Sequence, residues 1–252
     1  MNLDLDTDWT LALTQSDTDP NRRHLGCDDF DLAATIGDLA AYERTDHADD
    51  NTVWRHPEAS APNVVFEPGS RGNIVLWGGR MPSRQPVVLG GQDHRVIIGA
   101  CKKFTARIGV KGQGNLFFSG LGTTCNQANV VLQGTGRSIL LGRDCMLSFE
   151  VVLRAADSHA IIDLETMDVS NPPESILIGA HVWLGEAASV LKGAQIGRGS
   201  VIASRALVTG DIPDTALAVG VPARVLRQNI SWTRHAQPGA AQLAALSRQL
   251  GR

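Results

Sequence analysis

The chain is poor in aromatic residues, in cysteine and in charge imbalance, and each shortage excludes something. Only 5% of its 252 residues are aromatic, with a single tyrosine, against 43% hydrophobic. That balance suits a fold of stacked aliphatics rather than a core of packed rings. The net charge is −3, which gives no footprint for nucleic acid or an acidic membrane surface. The four cysteines, Cys27, Cys101, Cys125 and Cys145, form no C-x-x-C pair and no zinc-like spacing, so they read as reduced, buried thiols. The seven histidines make no cluster, and Glu186 stands five residues beyond His181; no metal site is expected. No basic-then-apolar leader opens the chain and no apolar run approaches a membrane span. A soluble cytoplasmic protein is the expectation. A serine-nucleophile elbow, G-x-S-x-G, is also missing.

What is present is a strict period. From Ile178 to Pro213 an aliphatic residue recurs every six positions: Ile178, Leu184, Val190, Ile196, Ile202 and Val208. The next residue is small at four of these, Gly179, Gly185, Gly197 and Ala203. Neither a helix nor a flat strand repeats in sixes. A β-helix does, with one aliphatic per hexad stacked inward and a small residue at the corner. Upstream, Ile98, Phe104, Val110 and Leu116 keep the spacing, which then becomes irregular and resumes at Leu141, Leu147 and Leu153. One continuous β-helix over residues 63–213 is expected.

The next hexad position after Leu153 is His159, not an aliphatic, and Asn171-Pro172-Pro173 follows before Ile178. A loop over 159–176 is therefore expelled from the coil, where function tends to sit. Residues 214–252 read as a tail with a helix at about Ala240–Gln249, packed along the solenoid or against a neighbour. Residues 1–62 differ in kind, with fourteen acids against four arginines and no lysine. They read as an acidic appendage in which Asp28–Glu43 has helical spacing. Phe30, Ala33, Ile36, Leu39 and Ala40 share a face there, with Asp28 or Asp29 as cap. That helix is expected to cover the open end of the solenoid.

The repeats, HVWLG (181–185), SVIASRALVTGDIP (200–213) and AVGVPARVLRQ (218–228), resemble the hexapeptide-repeat acyltransferases. The stretch LGRDCMLSFEVVLRAADSHAIID (141–163) resembles the branch that O-acetylates capsular polysaccharide and sialic acid. The resemblance covers roughly residues 90 to 232. It implies an all-β, left-handed parallel β-helix with three hexads per coil. It also implies acetyl-CoA as co-substrate and a homotrimer with sites between neighbouring subunits.

Transfer of an acyl group from a thioester to a hydroxyl needs a base for the hydroxyl proton, and histidine titrates near working pH. His159 breaks the repeat, opens the expelled loop, and matches the general base of the resembled enzymes. Asp157 either orients that ring or forms a turn. Trp183 stands on the solvent side of its hexad, either beside the pantetheine arm of CoA, as the resemblance implies, or between subunits. His181, in the same hexad, is either a second, weaker candidate base or an outward, structural turn histidine. The resemblance further implies backbone contacts to CoA near Gly185, Ser204 and Thr209, and phosphate contacts from Arg205, Arg224 and Arg227. Relatives carry a cation after the Thr of the VT step where this chain has Gly210. The expected activity is an O-acetyltransferase acting on a sugar or polysaccharide. A small-molecule acetyltransferase of the same fold, or a non-catalytic scaffold, are the alternatives.

Overall fold

The computed structural model describes residues 30–251. Its strands pair into three parallel ladders, the three sides of a coil that winds about seven times. The first side stacks Thr52–Arg55, Ile74–Gly79, Arg95–Cys101, Leu116–Ser119, Ser138–Leu141, Ile176–Ile178 and Gln195–Ile196. Met146–Leu147, Trp183–Leu184, Val201–Ile202 and Leu217–Val219 follow one another on the second. The third carries Val64–Phe66, Val87–Gln92, Val151–Arg154, Ser189–Leu191 and Leu207–Val208. The long strands Phe104–Gln113 and Thr124–Thr135 run from the second side round into the third. The chain is thus a β-solenoid, and its parallel stack begins at Thr52, earlier than residue 63.

The coils differ in length between the two halves of the solenoid. Leu177 pairs with Gln195, Trp183 with Val201 and Ser189 with Leu207, so each of these coils is three hexads long. Val75 pairs with Val96 and Val96 with Phe117, a step half a hexad longer. The longer coils put their extra residues into the third side, where the chain bends at Gly91, Gly112 and Gly134, all at φ near 110°. A Cβ on Gly112 would sit 2.0 Å from the carbonyl oxygen of Gly134, so only glycine allows this stack.

The hexad positions Ile98, Phe104 and Val110 point inward as expected, as do Leu141, Leu147 and Leu153. Leu116 does not. It lies on the outside of the first side, and its neighbour Phe117 fills the interior. The first side is apolar on both surfaces, because Leu76, Ile97, Phe118 and Leu140 stack outward beneath Phe30, Ile36 and Tyr42. A parallel sheet buried on both faces reads as unbroken apolar runs, which explains ILL and LFF in the sequence.

That outward column overturns the expected placement of the N-terminal helix. It is short, Leu32–Ile36 (α1), and packs on the flank of the solenoid rather than over its end. Asp31 caps it, its carboxylate accepting from the Ala34 N–H at 2.8 Å. Gly37 at φ 65° stops it, and a 3₁₀ turn, Leu39–Ala41, follows. The expected caps Asp28 and Asp29 lie outside the described residues. The open edge at Thr52–Arg55 is instead covered by the antiparallel strand Glu43–Asp46, all exposed and mostly charged. Charge on a terminal strand discourages edge-to-edge pairing. At the other end Arg224–Arg227 folds back antiparallel on Leu217–Val219. The C-terminal helix spans Ala240–Gln249 (α2), and no described helix is long and apolar enough to cross a membrane.

Candidate active site

The expelled loop leaves the third side after Val151–Arg154 and rejoins the first at Ile176–Ile178. Ile139 and Ile176 are direct partners on neighbouring strands, so one coil carries the whole insertion. Ser158, immediately before His159, adopts φ 67°. A left-handed non-glycine residue marks a sharp, over-determined corner, and it turns His159 out of the coil. The loop is ordered by its own polar groups. Asn171 Nδ2 donates to the carbonyl of His159 at 3.0 Å and to Asp157 Oδ2 at 2.8 Å, while Asn171 Oδ1 accepts from the Ile161 N–H. Ile162 and Val169 pair antiparallel, and Asp163 Oδ1 accepts from the N–H groups of Glu165 and Thr166. The result is an internally hydrogen-bonded hairpin whose tip exposes Leu164 (83%) and Met167 (71%).

His159 is exposed, and among the described residues its ring has no hydrogen-bond partner. Asp157 does not orient it. The Asp157 carboxylate takes a hydrogen bond from Lys192 Nζ at 2.6 Å and another from Asn171. Those bonds, Lys192 first, hold its pKa below the ordinary aspartate value. Lys192 also donates to the Asn171 carbonyl at 2.9 Å, so Asp157 fastens the base of the loop to the next coil. The sequence offered no hint of Lys192 or Asn171 as its partners.

Trp183 opens a second-side strand, with Leu184 turned inward and the indole outward. Its Nε1–H donates to Ser148 Oγ at 3.2 Å on the coil above. The register places Trp183, Val201, Leu217 and Arg227 in one column. At about 4.8 Å per strand step, Arg227 lies about 14 Å from Trp183. Arg224 is in the same exposed final strand, while Ser204 and Arg205 are exposed at the corner after Val201–Ile202. Gly185 is different: its N–H donates to Ile202 and its carbonyl accepts from Ala188. A Cβ there would meet the Ser204 nitrogen at 2.6 Å. Gly185 is a packing residue whose N–H is already committed within the solenoid. Thr209 is exposed beyond the third-side strand Leu207–Val208.

The candidate residues therefore fall into two groups. His159, Asp157 and Thr209 lie where the third side gives way to the first, and Trp183, Ser204, Arg205, Arg224 and Arg227 lie along the second side. Among the described residues no hydrogen bond or ring contact joins His159 to Trp183.

His181 is buried rather than outward, because the Trp232 ring covers it. Its Nδ1 lies 2.8 Å from Asp144 Oδ2 and its Nε2 2.9 Å from the Trp232 carbonyl. Asp144 also accepts from Arg234 and from Gln249 Nε2. Burial opposes ionisation of Asp144, but the bonds from His181, Gln249 and Arg234 outweigh it and bring its pKa down to about 2. Asp144, Trp232, Arg234 and Gln249 were not visible as a group in the sequence, being spread over more than a hundred positions.

The chain is similar to the polysialic acid O-acetyltransferase of Escherichia coli O1:K1, at 39% identity over 97 residues, 38% of the chain and 32% of that protein. Against the polysialic acid O-acetyltransferase of Neisseria meningitidis the figures are 28% over 153 residues, 52% of the chain and 71% of that protein. It superposes on the crystal structure of the polySia-specific acetyltransferase NeuO with a TM-score of 0.59 at 25% identity, covering 80% of the chain and 99% of NeuO. The chain resembles hexapeptide-repeat sugar O-acetyltransferases. The polysialic acid O-acetyltransferase OatWY shares the fold, with a TM-score of 0.55 at 20% identity over 74% of the chain and 95% of OatWY. No protein-family model matches. In the first-named Escherichia coli relative the matched part is about a third of the protein's length.

Proposed function

We propose that the chain is an acetyl-CoA-dependent O-acetyltransferase acting on a hydroxyl of a sugar or polysaccharide. The reading rests above all on the structural likeness to NeuO over nearly the whole of that protein. The exposed imidazole of His159, on a loop braced by Asn171, supports it. His159 takes the acceptor hydroxyl proton as the oxygen attacks the thioester carbonyl carbon. Backbone N–H groups stabilise the oxyanion that forms. The tetrahedral intermediate then expels the thiolate, which recovers the proton from the imidazolium, leaving acetyl ester and CoA. The donor lies along the column from Trp183 to Arg227, thioester at the indole and phosphates near Arg224 and Arg227, with Arg205 at its flank.

One copy holds its base and its donor column on different sides of the coil, so the complete site needs two copies. A homotrimer satisfies this, with the hairpin of one subunit reaching its neighbour's second side. The apolar tip formed by Ile161, Leu164, Met167 and Val169, exposed in the single chain, is covered in that arrangement. Buried thiols fit a reducing cytoplasm, and burial raises Cys101 to about 11 and Cys125 to about 12.

The test is thiol release from acetyl-CoA by the wild type and His159→Ala across sugars, oligosaccharides and small-molecule alcohols. The expected result is release with one saccharide class, and a loss on the order of 10²–10⁴ in rate in the variant. Near-normal turnover by His159→Ala removes it from the mechanism. Release with a small alcohol alone moves the protein to small-molecule acetylation, and failure to bind CoA ends the enzyme reading.

A further inference from the structure

The ring of Trp232 lies flat on that of His181, 4.3 Å between centroids with 7° between planes. The two residues also exchange hydrogen bonds. Trp232 Nε1–H donates to the His181 carbonyl at 2.8 Å, and His181 Nε2–H to the Trp232 carbonyl at 2.9 Å. They are far apart in the chain, and both are buried. A stack closed by two reciprocal bonds fixes every rotation of both rings. Around it, Asp144 receives His181 Nδ1, Arg234 and Gln249, while Arg234 also donates to Thr124 Oγ1 and stacks over Trp232. Ser231 Oγ donates to the Gly199 carbonyl at 2.9 Å. The tail is thus fastened across several coils.

This clasp ends on the donor column. The Trp232 ring stands 6.0 Å from that of Trp183, tilted by 50°, and the Trp183 Nε1–H donates to Ser148 Oγ. One hydrogen bond at the indole nitrogen leaves a half-exposed tryptophan more than one staggered rotamer unless a neighbouring ring blocks the others. Trp232 supplies that block. We infer that Trp232, held by His181, is a positioning residue that sets the orientation of the Trp183 indole and thereby the acyl-donor site. The inference rests on the proposed donor column, and its consequence is that the C-terminal tail is part of the site.

Acetyl-CoA binding by calorimetry tests this with Trp183→Ala, Trp232→Leu, Trp232→Phe and the double variant Trp183→Ala/Trp232→Leu. Trp232→Leu is expected to weaken binding about tenfold, and Trp232→Phe, which keeps the stack, within about twofold of wild type. The double variant is expected to bind no worse than Trp183→Ala alone, because residues acting through one group are non-additive. Near-ultraviolet circular dichroism should lose the same indole signal in Trp232→Leu and in Trp183→Ala, and keep it in Trp232→Phe. Wild-type binding by Trp232→Leu, or a double variant with summed losses, overturns the inference while leaving the donor column intact. Wild-type binding by Trp183→Ala overturns the column itself, and the clasp's role with it. If Trp232→Leu does not fold, His181→Asn, which loses the stack but can keep one bond, replaces it with the same expected and opposing results.

Discussion

The wide coils of residues 52–154 and the narrow coils of 176–213 are two solutions to one packing problem. A narrow coil, three hexads long, encloses a thin prism that Ile, Leu, Val and Ala fill alone, as at Ile178, Leu184, Val190 and Ile196. A coil longer by half a hexad or more encloses a larger space, and the interior there takes Trp77, Phe104 and Phe117. The wider corner before the first side also leaves backbone groups beyond reach of one another. Asn51, Asn73, His94 and Asn115 fill it as a polar ladder, each binding the backbone of the coil that follows. Size therefore dictates chemistry: aromatic filler and buried amides in one half, plain aliphatics in the other. The narrow prism itself buries no aromatic ring, and its corner needs only Ser200, whose Oγ accepts the Ala216 N–H of the following coil; Trp183 and its column lie in that half.

Emptying a wide coil should have the largest effect. Phe117→Ala removes a ring with no exposure and should cost about 4 kcal/mol, read from urea unfolding. A loss below about 1 kcal/mol would mean that the wide interior does not depend on its aromatics. Asn115→Ala comes next. Its side chain donates to the Lys111 and Gly134 carbonyls and accepts from the Arg137 N–H. Leaving buried backbone groups unsatisfied should cost about 3 kcal/mol. A neutral outcome would reduce the ladder to filler. The reverse experiment is Ile178→Phe, which puts a wide-coil residue into a narrow coil; overpacking should cost about 2 kcal/mol. If the variant is as stable as wild type, the two halves are not distinguished by interior volume.

These differences also explain what could be read from the chain. Six-residue spacing marks a β-helix when the coil is a whole number of hexads, so Ile178 to Val208 declared both the fold and the inward positions. The wide coils are not whole hexads, and there a count in sixes slips. It held from Ile98 to Val110 and failed at Leu116, where Phe117 takes the interior. The spacing of Asn51, Asn73, His94 and Asn115 carried the longer period, but polar residues before apolar runs look like ordinary turns. His159 and Trp183 stood out because each broke a local rule. The clasp did not, since His181, Trp232 and Gln249 meet only through the return of the tail, and nothing local to any of them signals it. Likewise Asp157 is close to His159 in sequence, yet its partner is Lys192 on the next coil.

The smallest expected effect separates the halves by pH. His94 occupies a ladder position held elsewhere by asparagine. Its Nδ1 accepts the Asn115 N–H at 3.2 Å, and its Nε2 faces the Gly90 carbonyl at 3.2 Å. The ring is therefore neutral with its proton on Nε2. A second proton would set one N–H against another. Burial lowers its pKa below the ordinary histidine value, although the Gly90 bond and Asp93 pull the other way. A histidine whose folded pKa is depressed lets the unfolded chain take up protons first. Its contribution is complete above the unfolded value of about 6.5 and is lost as pH falls below it toward the folded pKa. Asparagine has no such proton, and its carbonyl can accept the same N–H. His94→Asn should therefore flatten the loss of stability between pH 7.5 and 5, measured as urea midpoints against wild type. Equal slopes in the two proteins would show that His94 already titrates alike in both states, and that this rung is looser than its asparagine neighbours.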